Sequence, residues 1–456
     1  MKLTSLIGRL CNKDVKSIGL FGLGKCNKRL AEILISEGWG HGFICRSSNT
    51  CEHSEIIDVK NSYFGDSALT NIREDILFLS PSVRRCDSLL RKAECAGCMI
   101  SSDAELFFHA NPKNVLAITG SDGKSTVTYL TSKLTEASLG AIPAGNYGLP
   151  LCELIKRDKI SGAVVELSSF QLSYIKPKLS RALITNITEN HLNWHSDFDE
   201  YIRAKKNIFE NAELRALVSD GDICERIAKE NGADIIISDK ASATELNRKF
   251  HPWLTVTREC GSICVNGIPY IPERIFLRKE SYIILDFMCA IALSHGFSDK
   301  EAAIELAKSF GGLPHRKEVF LTHGGVTYIN SSIDSTPNRT AITLSTLPSK
   351  SIVIVGGAAK GLSYEPLVSA LSSYAKAVIF TGDSALELAL LFERVNALSG
   401  RIYIESDFDA AAELAVRIAK PADTVILSPA HTSYDRFENF EERGEHFKKI
   451  IREITK

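Results

Sequence analysis

Short apolar runs recur along the chain, each closed by a glycine-bearing polar turn and followed by residues at helical spacing. Ser17–Phe21 runs into Gly22-Leu23-Gly24 and a helix to Ile35, and Ile76–Leu79 ends in the loop Ser80-Pro81-Ser82. Val115–Ile118 meets Gly120-Ser121-Asp122-Gly123, after which Lys124-Ser125-Thr126 open a helix. The same pattern predicts strands at 42–45, 162–166, 182–185, 216–218 and 234–237, a hairpin through 263–265 and Tyr270, and a helix over 198–212. Near residue 313 the pattern restarts, with strands at 326–330, 351–355, 377–380, 401–404 and 424–427. Strands alternating with helices predict α/β domains with mainly parallel sheets. A chain of 456 residues has room for about three of them. The expected division is a Rossmann-like domain at 1–101, a central P-loop ATPase-like domain at 102–312 and a Rossmann-like domain at 313–456. Gly and Pro interrupt the pattern near Ser101–Ala104 and Gly311–His315, where hinges are expected.

Composition narrows the class. Hydrophobic residues make up 44%, enough for several cores, and 54 basic against 55 acidic residues leave no field to attract nucleic acid or an anionic membrane. The twelve cysteines are scattered; Cys95 and Cys98 form a lone CxxC, read as two small apolar residues. Arg9, Lys13, Asp14 and Lys16 break the first apolar stretch, so no signal peptide is expected. The longest apolar run, Tyr282–Leu293, contains Asp286 and is too short to span a bilayer. A cytoplasmic protein is expected.

The candidate chemistry centres on residues 120–126. A strand-turn-helix of this composition aims backbone N–H groups and a helix N-terminus at one point, a seat for phosphate. Lys124 adds a cation, and the Ser125 hydroxyl can ligand Mg²⁺. The spacing is shorter than the full G-x-x-x-x-G-K-[ST], since Ile118 stands where the first glycine would. Glu166 closes the apolar strand 162–166, where a carboxylate reaches a metal held at nucleotide phosphates. Gly22 and Gly24 resemble a dinucleotide turn, but Asn27 replaces its third glycine and Arg46 stands where an acidic residue would bind ribose. That disfavours NAD and suits a nucleotide or nucleotide-sugar pocket, with Arg46, Arg84 and Arg85 available for phosphate; solvated loop charges are the plain alternative.

Several segments together resemble the Mur ligases of peptidoglycan synthesis: AITGSDGKST, ELSSFQL, ITNITENHLNWH, YIRAKKNIFENA, GLPHRKE and LSPAHTSYDRFENFEERGEHF, in family order from about Gly22 to Phe447. ELSSFQL and FENFEERG point within the family to the branch that adds D-glutamate. The resemblance implies an enzyme using ATP to convert the carboxylate of UDP-N-acetylmuramoyl-L-alanine into an acyl phosphate, which the amine of D-glutamate attacks. It also implies two Mg²⁺ sites; a monomer is expected, though the residues themselves are silent on oligomeric state. By matched position, Ser125, Glu166, His191 and a carbamylated Lys205 would hold metal, and Lys124 would be catalytic with Glu166, His191 and Lys205. Residues Gly120 to Thr126 with Asp286, Arg316 and Ser331 would contact ATP. Gly22, Leu23, Gly24, Arg46, Ser82, Asn146 and His191 would contact the precursor; Ser335, Lys360, Ser433 and Phe440 would contact D-glutamate. A core aromatic is an equal reading of Phe440. His315 and Arg316 match a hinge pair near the nucleotide.

This chain departs from the family at several points. Ser331 and Ile333 stand where an aspartate and a lysine are usual, and Asn190 and Asn193 where aspartates are frequent. The His-Asn pair and second asparagine near the adenine are replaced by the stretch Tyr282 to Asp286. A lost hydrogen bond to a charged group contributes about 1.5–3 kcal/mol, so weaker ATP binding is expected, with Asp334 as the available substitute carboxylate. Two other readings stand beside this one: a family member adding another amino acid, and a silent paralogue that binds nucleotide-sugar.

Overall fold

The computed structural model describes every residue except 1, 23, 42, 48–60, 65–66, 82, 86–87, 158–161, 190–193, 360–362, 396–397 and 399. It divides into two compact units, Met1–Ser309 and Phe310–Lys456. The first unit holds two sheets. Strands β1 (Ile18–Phe21), β2 (Ile44–Ser47), β3 (Asn61–Phe64), β4 (Ile76–Leu79) and β5 (Met99–Ser101) form a parallel sheet in the order β3-β2-β1-β4-β5.

The second sheet begins with β6 (Val115–Thr119), β7 (Ile142–Gly145), β8 (Ala163–Glu166), β9 (Lys178–Ile184) and β10 (Asn211–Val218). It continues with β11 (Ile235–Ser238), β12 (Leu254–Glu259), β13 (Ser262–Val265) and β14 (Ile268–Pro272). The order β14-β13-β12-β11-β10-β9-β6-β8-β7 puts β6 between β8 and β9, so the turn after β6 opens at the carboxyl edge of the sheet. Only β12-β13-β14 pair antiparallel there. The helix Asp103–His109 packs on both layers: Leu106 joins the core of the first sheet, Ala104 and Phe107 that of the second. The stretch expected as a hinge at Ser101–Ala104 is therefore buried, and the Ser102 side chain caps this helix by accepting from the Glu105 N–H at 3.2 Å.

In the second unit β15 (Glu318–His323), β16 (Val326–Asn330), β17 (Ser351–Gly356), β18 (Ala375–Thr381), β19 (Ile402–Ile404) and β20 (Thr424–Ala430) take the order β15-β16-β20-β17-β18-β19, with only β15 antiparallel. The loops after β17 and β20, neighbours in the sheet, lead to helices on opposite faces, leaving a crevice at their carboxyl ends.

Differences from the sequence expectation lie where the pattern is weakest. Strands β3, β5, β12 and β15 carry no clean apolar run and are held by pairing with stronger neighbours. The helix expected over 198–212 stops at Lys206, passes through a single 3-10 turn, and gives way to β10 at Asn211. There the ladder of β10 on β9 takes over, beginning with Asn211 opposite Lys178. Ser281–Ser294 is a helix apolar on nearly all sides, and it is buried accordingly. Among the described residues no helix is long and apolar enough to cross a membrane. Cys95 and Cys98 are both free.

Candidate active site

The site grows from the turn after β6. Gly120 has φ +154°, and a Cβ there would collide with the Thr185 hydroxyl, so only glycine lets β6 close onto the loop after β9. Asn186 holds the turn in shape: its Oδ1 accepts the N–H of Ser121 at 3.1 Å and that of Asp122 at 2.8 Å. The Ser121 hydroxyl lies 2.8 Å from the Tyr201 hydroxyl and donates to the Thr188 carbonyl at 3.1 Å. Gly123, at φ +78°, then starts the helix Lys124–Leu139. Lys124 folds back, its Nζ 2.8 Å from the Ser121 carbonyl.

Four further side chains converge at this turn. Ser125 donates to Glu166 Oε2 at 2.8 Å, and Asn146 donates to Glu166 Oε1 at 2.9 Å. Lys205 is 2% exposed; its Nζ donates to the Gly120 carbonyl at 2.6 Å and lies 4.6 Å from the centre of the Tyr201 ring. Burial first, then the nearby Lys124 charge, push the Lys205 ammonium well below the usual lysine range, while Glu166 and Asp122 pull the other way. Beside the turn, at the carboxyl ends of β9 and β10, lies a cavity of about 380 Å³ bordered by Asn186, Ile187, Asp220, Ile223 and Leu285.

Asp286, expected among the ATP contacts, stands at the same turn. It projects from the helix Ser281–Ser294 against the turn itself, so that a Cβ on Gly123 would collide with its Oδ1, and it hydrogen-bonds Thr126. Burial holds its carboxyl well above the usual range.

Arg46 is corrected outright. Its guanidinium is 1% exposed, paired with Glu74 at 2.6 Å and bonded to the carbonyls of Ala68, Thr70 and Asn71, so it is structural and not a phosphate ligand. Arg84 and Arg85 are engaged by Glu200 and Glu105. In the first turn Gly22, at φ +79°, donates to the Arg46 carbonyl at 2.7 Å. Asn27, in place of the third glycine, donates to the carbonyls of Phe21, Gly22 and Phe78 and so ties the turn to β1 and β4. Gly24 caps the helix that follows.

In the second unit Ser433 is buried in the turn after β20, its carbonyl accepting the N–H of Phe437 at 2.7 Å. Phe440 opens the helix Phe440–Ile454 with its ring 6.0 Å from that of His315. His315 is buried, with Nδ1 3.0 Å from Asn330 Nδ2, and acts as a packing anchor. Arg316 is exposed. The Ser331 hydroxyl accepts the Lys317 N–H at 3.1 Å, and Ser335 is half-buried beside it in the chain. Asp334 is not a free substitute carboxylate: it is 2% exposed and accepts the Ser428 hydroxyl at 2.8 Å, because burial favours a partner inside the unit. A cavity of about 590 Å³ opens at the carboxyl edge, bordered by Gly357, Gly382, Asp383, Asp435, Phe437 and Arg443.

The description of the Mur ligase middle domain matches residues 118–261, and that of the Mur ligase glutamate ligase domain matches 315–431. A Clostridium tetani protein named UDP-N-acetylmuramoylalanine--D-glutamate ligase is 33% identical, covering 96% of this chain and 97% of its own. The chain belongs to the Mur ligase family. A second Mur ligase, from Acetivibrio thermocellus and of the same name, is 32% identical over 89% of this chain and 88% of its own. Among solved structures, the Mur ligase UDP-N-acetylmuramate-alanine ligase MurC of Thermotoga maritima shares the fold, with TM-score 0.54 and 17% identity over 96% of this chain and 99% of its own.

For a Mur ligase of this sequence, the structure brings Lys124, Ser125, Asn146, Glu166, Lys205 and Asp286 to one turn. Leu23, Ser82, His191 and Lys360, with Asn190 and Asn193, lie outside the described residues. Sequence reasoning missed Asn186, Tyr201 and Thr185. The signal for Asn186 was present, a polar amide directly after the buried strand β9, but only the pairing of β9 with β6 brings it to the turn.

Proposed function

We propose that this Mur ligase joins D-glutamate to UDP-N-acetylmuramoyl-L-alanine at the expense of ATP. What supports the reading most is the coincidence of a phosphate-shaped turn, backed by the Ser125–Glu166–Asn146 chain, with near full-length likeness to ligases of that name. A carboxylate is a poor electrophile. Attack of its oxygen on the γ-phosphorus of ATP releases ADP and gives an acyl phosphate. The amine of D-glutamate then adds to the carbonyl carbon, and inorganic phosphate leaves as the amide forms. Backbone N–H groups of the turn and the start of the helix Lys124–Leu139 would orient the phosphates, and Lys124 would swing from the Ser121 carbonyl to offset charge on the group in transfer.

Two Mg²⁺ sites belong to the same proposal. A hydroxyl beside a carboxylate, as in Ser125 and Glu166, is an oxygen donor set suited to this hard cation. Ser125, Glu166, His191 and a carbamylated Lys205 would hold the ions, which supply charge neutralisation at the phosphates. Carbamylation needs an uncharged amine, and the burial of Lys205 favours that form. Ser335, Lys360, Ser433 and Phe440 would receive D-glutamate, Gly22 to Gly24 with Ser82 and Asn146 the precursor, and Arg316 and Ser331 the nucleotide.

Phosphate release should require ATP, UDP-N-acetylmuramoyl-L-alanine and D-glutamate together, with L-glutamate a poor replacement. Precursor binding without ADP formation would sink the reading in favour of a silent paralogue.

A further inference from the structure

Asp286 is a buried acid pressed onto the site at which the negative charge of a nucleotide is expected, and the steps proposed above give it no role beyond the expected contact with ATP. The residue is 7% exposed, and its carboxyl touches Gly123 and hydrogen-bonds Thr126, at the opening of the helix Lys124–Leu139. The Asp122 carboxylate, of the same sign, also acts on it and pushes the same way as burial. On its own helix the neighbouring titratable groups are Tyr282 and Cys289, and Asp220, after β10, acts on Cys289 as well. Lys124, Glu166 and Asp122 act on Lys205 across the turn.

A carboxylate at a helix N-terminus competes with any other anion for the same backbone dipoles. Ionised, Asp286 would oppose a polyphosphate on the turn. Protonated, it would pack against Gly123 as an amide of the same shape would. We infer that Asp286 sets the nucleotide affinity of this turn as a positioning residue that must carry its proton when nucleotide is bound, which makes binding pH-dependent. This rests on the turn being the nucleotide seat. Above the pH at which Asp286 ionises in the free protein, affinity then falls about tenfold per pH unit, because each bound nucleotide takes up one proton.

The test is calorimetric titration of ADP into the full chain between pH 6 and 9.5, for wild type, Asp286→Asn and Lys205→Gln. Ratios between proteins cancel the titration of the nucleotide itself. The ratio of Asp286→Asn to wild-type affinity should rise with pH across this range, approaching tenfold per pH unit once Asp286 ionises in the free wild type. Lys205→Gln, which removes the other buried group able to take up a proton, should keep the wild-type slope. An Asp286→Asn to wild-type ratio that does not change with pH overturns the inference, as does a flat Lys205→Gln profile, which decides alone if Asp286→Asn does not fold. Wild type that fails to bind ADP at any pH would instead overturn the nucleotide reading of the turn.

Discussion

Lys205 owes its chemistry to where it sits. A lysine on the surface is an ammonium ion and does not react with carbon dioxide; one buried against the Gly120 carbonyl and the Tyr201 ring, beside a second lysine, loses its proton far more readily. Protein equilibrated with ¹³C-bicarbonate should show a lysine-carbamate carbon resonance that disappears in Lys205→Gln. A spectrum without that resonance in active protein would remove carbamylation from the scheme. Lys124 makes the opposite case, a lysine whose value is its charge. Lys124→Ala should lower turnover by about 10²–10³-fold, in line with loss of one preorganised group that stabilises transition-state charge. Measured phosphate release left at the wild-type rate would move the catalytic centre away from this turn. Both lysines are readable in the sequence as candidates, but only burial separates their roles, since Lys205 and Lys206 are chemically alike and Lys206 pairs with Glu230 in solvent.

At the scale of the element, the first parallel sheet shows how a charged residue can be read for the wrong purpose. Arg46 lies next to the carboxyl end of β2, at the place where nucleotide folds keep a ligand-binding residue, and its type suits phosphate. The pairing of β2 with β1 and β3 instead turns it into the interior, where Glu74 and three carbonyls satisfy it. Removing one partner of a buried ion pair costs about 3–5 kcal/mol. Arg46→Ala should therefore lower the thermal midpoint sharply, whereas the paired change Arg46→Met with Glu74→Leu should recover much of the loss. If Arg46→Ala melted like wild type and only the precursor's KM rose, the phosphate reading would return. The strand-turn-helix units themselves were legible, because apolar runs closed by glycine carry their own punctuation. Strands β5 and β15 and the early end of the helix at Lys206 were not, since sheet partners distant in sequence decide them.

Over the whole molecule, buried carboxyls give stability a pH dependence of definite sign. Burial raises the pKa of Asp286 and of Asp334 in the folded state. At these two positions the native protein keeps protons that the unfolded chain has already released, so their contribution to stability falls as pH rises from the ordinary carboxylate range through the folded values. Asp286→Asn should raise the thermal midpoint more at pH 8 than at pH 5. Equal shifts at both would mean that Asp286 does not titrate differently on folding. The chain by itself determined the alternation of strand and helix, the phosphate turn and the family, because each is written in neighbouring residues whose spacing local backbone geometry enforces. Tertiary structure alone decided which charged side chains are buried and which partners they meet. Arg46, Asp286 and Asp334 differ from their solvent-exposed counterparts only in burial and partners, and both are set by contacts between segments far apart in sequence.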